Sequence, residues 1–113
     1  MKISKETSPS YSWGEQCIGY VLVDTTGLSV KQEIMPPRTM EVVHYHNKAQ
    51  QFFYIIRGTA AISKNGIETL LTQGNGIHIL PSESHFIQNT GDDDLEFLVI
   101  SQPSTNDDRV FIE

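Results

Sequence analysis

The sequence predicts an all-β domain, a barrel or sandwich of short strands, and three observations lead there. Apolar or alternating runs of five to seven residues recur at close, regular spacing, each bounded by Gly, Pro, Asn or Asp. "TAAISK" and "IETLLT" meet across Asn65-Gly66, the dipeptide best suited to a two-residue hairpin turn. No stretch of eleven or more residues carries a helical period.

Taken in order, a polar lead runs to about Ser12. "IGYVLVD" (18–24) then stops at "TTGL", and "SVKQEIM" (29–35) stops at Pro36-Pro37. "EVVHYH" (41–46) and "QFFYIIR" (51–57) flank the turn Asn47-Lys48-Ala49. The Asn65-Gly66 hairpin follows. "GIHIL" (76–80) ends at Pro81, "HFIQN" (85–89) at Thr90-Gly91, and "LEFLVIS" (95–101) leads into the tail. Closing such strands into a barrel removes exposed sheet edges. The expected organisation is a lead over 1–12, one barrel over 13–104 and a tail over 105–113.

Composition narrows the function. A chain of 113 residues suits one core. A net charge of −6 is no footprint for nucleic acid. The first ten residues lack the apolar core of a secretory signal, and no apolar run approaches a membrane span. Cys17 is the only cysteine, so no internal disulfide can form. The expectation is a cytoplasmic protein binding neither nucleic acid nor membrane. Asp92-Asp93-Asp94 lacks the spaced oxygens of a calcium loop and reads as a solvated turn.

The chemistry gathers around "HYHNKAQQFFYIIRG". Residues two apart on a strand share a face, so His44 and His46 project together, about 7 Å apart at Cα. The turn at 47–49 brings Gln51 back beside them, and His85 opens another strand. Single histidines in strands often serve as satisfied core or surface residues. Three at strand positions able to converge, with an amide oxygen beside them, suit a borderline divalent metal instead. His78 takes the face opposite the isoleucines of "GIHIL" and is left out.

These residues resemble the cupins, small β-barrels of jelly-roll, or double-stranded β-helix, topology. Arg38, five residues, His44-Tyr45-His46, four residues, Gln51, six residues and Gly58 fit the first cupin motif, with Arg for its first Gly and Gln for its Glu. Gly74, five residues, Leu80-Pro81-Ser82, two residues, His85, three residues and Asn89 fit the second, with the Pro shifted by one and Ser82 at a Gly position. The resemblance implies that His44, His46, Gln51 and His85 hold one divalent ion in the barrel mouth, with a three-histidine site and an uncoordinated Gln51 as the alternative. Imidazole with an oxygen ligand suits zinc, nickel, iron, manganese or cobalt.

A neutral Gln in place of Glu leaves the ion's charge uncancelled, which favours Lewis-acid chemistry. The leading reading is therefore an isomerase or lyase acting on a small oxygen-rich molecule such as a sugar or keto acid. An Fe(II) dioxygenase and a non-catalytic metal or small-ligand binding module are the alternatives. Alternation from Gln51 places Phe53 and Ile55 inside as pocket wall, and Gln32 joins them if Val30, Gln32 and Ile34 face the core. Phe52, Tyr54 and Ile56 then face outward, an apolar strip that suggests a homodimer. Arg109 reads as a solvated tail charge before it reads as a clamp on an anionic substrate. No carboxylate or tyrosine is clearly placed for proton transfer.

Overall fold

A computed structural model describes residues 1–112. One turn of 3-10 helix (Lys5–Thr7) precedes eleven strands. They are β1 (Ser10–Trp13), β2 (Cys17–Asp24), β3 (Ser29–Met35), β4 (His44–His46), β5 (Gln50–Arg57), β6 (Ala60–Lys64), β7 (Ile67–Leu71), β8 (Gly76–Ile79), β9 (His85–Asn89), β10 (Leu95–Gln102) and β11 (Arg109–Phe111). Two antiparallel sheets, ordered β1-β2-β3-β10-β5-β8 and β11-β4-β9-β6-β7, face each other as a jelly-roll barrel. The all-β expectation holds.

Period-two alternation builds the interior. Gln51, Phe53 and Ile55 of β5 point in while Phe52 and Tyr54 point out. Leu95, Phe97, Val99 and Ser101 of β10 do the same, and so do His85, Ile87 and Asn89 of β9. The apolar core of Met35, Ile55, Ile62, Ile79, Ile87, Leu95 and Phe97 is sealed from solvent. Phe53 joins it to the polar end, with its ring centroid 5.9 Å from Phe97 and 6.0 Å from His85.

The turns follow their residues. Asn65 and Gly66 both take positive φ, 51° and 83°, and pair Lys64 with Ile67 in a tight hairpin. Arg38 and Ser82, which stand at the two motif glycine positions that carry another residue, hold φ of 62° and 66°. The left-handed geometry persists there although the glycine does not, which strains each backbone.

Two strands fall outside the span read as barrel. Ser10–Ser12 of the polar lead belong to β1, an edge strand along β2. Arg109–Phe111 of the tail form β11, which pairs with β4 and brackets its histidines. The run at 41–46 is strand only from His44; before it, Met40 makes an isolated bridge to Gln88. Among the described residues no helix is long and apolar enough to cross a membrane.

Candidate metal centre

His44 sits opposite His85 where β4 meets β9, and His46 shares that inward face. All three side chains are buried. Their ring centroids stand 4.5 to 5.5 Å apart, and one ligand nitrogen from each lies within 4.8 Å of the others. Gln51 arrives from β5 in the other sheet, so the cluster bridges the two layers.

Each imidazole is pinned by its far nitrogen. Nδ1 of His44 donates to the Val42 carbonyl at 2.7 Å, that of His46 to Asp108 at 2.9 Å, and that of His85 to Glu83 at 2.9 Å. A carbonyl only accepts, so Nδ1 carries the proton and each Nε2 keeps a lone pair. Burial pushes His44 down to about 3 and His85 to about 4, and lowers His46 as well; all three rings are neutral at physiological pH.

The inward atoms lack proton partners. His46 Nε2 is buried with no hydrogen bond. His85 Nε2 faces Gln51 Oε1 at 3.0 Å, two acceptors with no proton between them. The Gln51 amide nitrogen donates to Ser101 Oγ at 3.0 Å, and this turns the amide oxygen toward the rings. Opposed buried lone pairs are costly unless a cation sits among them. The donor set fits a borderline divalent ion.

The turn carrying this set is tied down by the tail. The Asp108 carboxylate accepts the backbone N–H groups of Asn47 at 2.9 Å, Lys48 at 3.0 Å and Ala49 at 3.0 Å. Burial alone would raise its pKa, but these donors outweigh that and hold it below the usual range. The same residue's carbonyl fixes His46.

Beside His44 lies a cavity of about 30 Å³, lined among others by Lys31, Glu33, Glu41, Gln51, Phe53 and Arg109. Burial and then the charge of Glu33 push Glu41 up to about 8, while its Oε1 accepts the Ile87 N–H at 3.2 Å. Burial also raises Glu33, whose carboxylate accepts the Tyr11 hydroxyl. Tyr11 reaches across from β1 directly over Gly19, where any Cβ would lie 2.0 Å from the ring. Burial, followed by the Glu33 charge, raises the Tyr11 phenol.

The predicted residues divide by placement. His44, His46, Gln51 and His85 come together, and Phe53 lines the cavity beside them. Ile55 is fully buried in the apolar core below. Gln32 does not enter the barrel; the inward face of β3 is Ser29, Lys31, Glu33 and Met35, and Gln32 donates to the Glu96 carboxylate on the outer face. His78 is exposed and bonds Gln50 Oε1 at 2.8 Å, away from the cluster. Tyr11, Glu33 and Glu41 went unseen in the sequence. The alternation of "SYSW" was the available signal for Tyr11, whereas Glu41 lies before β4 and carries none.

A two-sheet antiparallel barrel with inward-facing histidines on neighbouring strands defines the class, a small cupin barrel. The cupin domain family matches residues 31–101, and the chain belongs to it. It is 33% identical over 66 residues to an oxalate-binding protein of Thermotoga maritima, an alignment spanning 58% of this chain and 54% of the relative, about half its length. Among solved structures, a predicted oxalate decarboxylase of Thermotoga maritima superposes with a TM-score of 0.85 at 21% identity, covering 92% of this chain and all of that one (100%). An uncharacterized conserved protein with a double-stranded β-helix domain from Klebsiella pneumoniae gives a TM-score of 0.83 at 26% identity, covering 99% and 96% of the two chains.

Proposed function

We propose that this cupin holds one divalent metal ion through His44, His46, His85 and Gln51 and acts as a Lewis-acid enzyme, of isomerase or lyase type, on a small oxygen-rich acid. The carrying observation is the set of inward lone pairs: three Nε2 atoms whose Nδ1 partners are pinned, one of them buried with no hydrogen bond. When bound, a divalent ion polarises a carbonyl or hydroxyl oxygen of the ligand and stabilises charge developing there. Every donor here is neutral, so the donors cancel none of that charge, and an anionic ligand is favoured. Glu41 and the Tyr11–Glu33 pair hold exchangeable protons beside the same rings, which supports chemistry over simple capture. The neutral donor set gives a high-valent iron dioxygenase no support.

The oxalate-binding relative favours one second reading, a non-catalytic module that captures a small carboxylic acid. Phe52 and Tyr54, 39% and 40% exposed on the outer face of β5, support a homodimer, which light scattering on the purified protein would test.

Elemental analysis of protein purified without added metal or chelator tests the centre. About one equivalent is expected, lost in His85→Ala and weakened in Gln51→Ala. Unchanged stoichiometry in His85→Ala would refute the ligand set.

A further inference from the structure

The cavity beside His44 is bordered by two cations, Lys31 and Arg109, with Glu33 and Glu41 in the same lining. Among the described residues neither Lys31 nor Arg109 belongs to an ion pair. They come from opposite layers. Lys31 stands on the inward face of β3, in register with inward Val99 of β10. Arg109 of β11 is in register with His46, so it shares the face of the histidines. The two cations thus straddle the barrel mouth.

The two carboxyls of the lining feel these cations, Glu33 both of them and Glu41 Arg109, yet among the described residues neither closes an ion pair with them. Glu33 accepts the Tyr11 hydroxyl, and Glu41 accepts the Ile87 N–H. Phe53 and Val99 supply an apolar wall. Two long cationic side chains beside an apolar wall favour an anion with a short carbon skeleton. A cavity of about 30 Å³ holds little more than a water, so such a ligand must push the two long side chains outward. Arg109 is exposed, on the edge strand β11.

We propose that Lys31 and Arg109 form a carboxylate-recognising subsite over the three histidines, selecting small organic acids against neutral molecules of the same shape. This rests on the proposed metal-dependent reading for its orientation toward the ring nitrogens, and it extends that reading by naming the residues that read charge. Both cations are long and flexible, so a guanidinium or ammonium at either position can serve the same anion, whereas an apolar stem of equal length cannot.

The test uses the full chain, with metal content measured first by elemental analysis and binding then followed by calorimetry. The probes are oxalate and its uncharged counterpart oxamide, with malonate as a longer dianion. Wild type is expected to bind at least one dianion at least tenfold more tightly than oxamide. Lys31→Met and Arg109→Met should each lose tenfold or more with metal content unchanged, and Lys31→Arg and Arg109→Lys should recover most of it. Melting temperatures exclude unfolding as the cause. Dianion affinities within twofold of wild type in both Met variants, or no dianion binding by wild type, would overturn the subsite. Absence of metal in wild type refutes the metal reading alone; the Met variants then decide the subsite on the metal-free protein by the same criterion.

Discussion

Removing the Asp108 carboxylate tests how far the tail governs the metal centre. Its oxygens accept three backbone N–H groups in the turn between β4 and β5, at 2.9 to 3.0 Å. Hydrogen bonds to a charged group contribute about 1.5–3 kcal/mol each. Asn47 and Lys48 are exposed and regain water in Asp108→Ala, but Ala49 is buried and does not. Counting one full bond and a fraction of the other two gives a loss of about 3 kcal/mol. With an unfolding entropy near 2.1 cal/mol/K per residue, 113 residues convert that loss into a fall in Tm of about 12 °C. Because the carbonyl of residue 108 also holds His46 Nδ1, loosening it should weaken metal binding by roughly 10- to 100-fold, the usual cost of disturbing a group behind a ligand. Thermal unfolding of metal-stripped protein and competition against a chromogenic chelator measure the two effects. A Tm within 2 °C of wild type together with an affinity within about twofold would refute the account. Asp108→Asn, which keeps one acceptor oxygen, should fall between.

Three further outcomes are expected. Glu41 has its folded pKa raised to about 8, so the folded chain binds the extra proton between its unfolded value near 4.5 and about 8; the stabilisation is complete below that window and lost as pH rises through it. The Tm difference between wild type and Glu41→Gln in metal-stripped protein should therefore move against wild type as pH rises from 5 to 8. It is superimposed on the opposite, rising contribution of the three buried histidines below about pH 6.5, and a difference that stays constant would show that Glu41 is not the source. Ser82→Gly relieves a residue at φ 66° and should stabilise by about 0.5–1 kcal/mol, a gain of a few degrees by calorimetry. Ile55→Ala, at a fully buried core position, should cost about 2–5 kcal/mol in chemical denaturation while leaving metal content unaltered.

Much of this was readable in advance because strand alternation is strict. The period of two put His44 with His46 and Phe53 with Gln51, and the motif frame carried Arg38 and Ser82 into glycine positions whose φ the structure reproduces. The same rule failed on β3 for a physical reason. Its inward residues include Lys31 and Glu33 because that end of the barrel is polar, while Val30 and Ile34 sit half-buried outside. Judging the inside by apolarity therefore chose the wrong phase and put Gln32 in the pocket. The proton-bearing groups were hidden differently. Tyr11 and Glu33 meet only after β1 folds along β2. Glu41 lies outside any strand, held to β9 by the isolated Met40 bridge and its own N–H on the Ile87 carbonyl, which no alternation in the sequence announces. Arg109 looked like a solvated charge until β11 was seen beside β4.

The crossing of Tyr11 over Gly19 also limits how this sequence can change. A side chain at position 19 would collide with the ring, so even Gly19→Ala must displace Tyr11 and break its bond to Glu33. After a first change of Tyr11 to a small residue, the three atoms closest to that alanine are gone. The two substitutions are tolerable in one order and damaging in the other. Descendants that gain a side chain at position 19 will therefore have passed through an intermediate that had already given up the phenol.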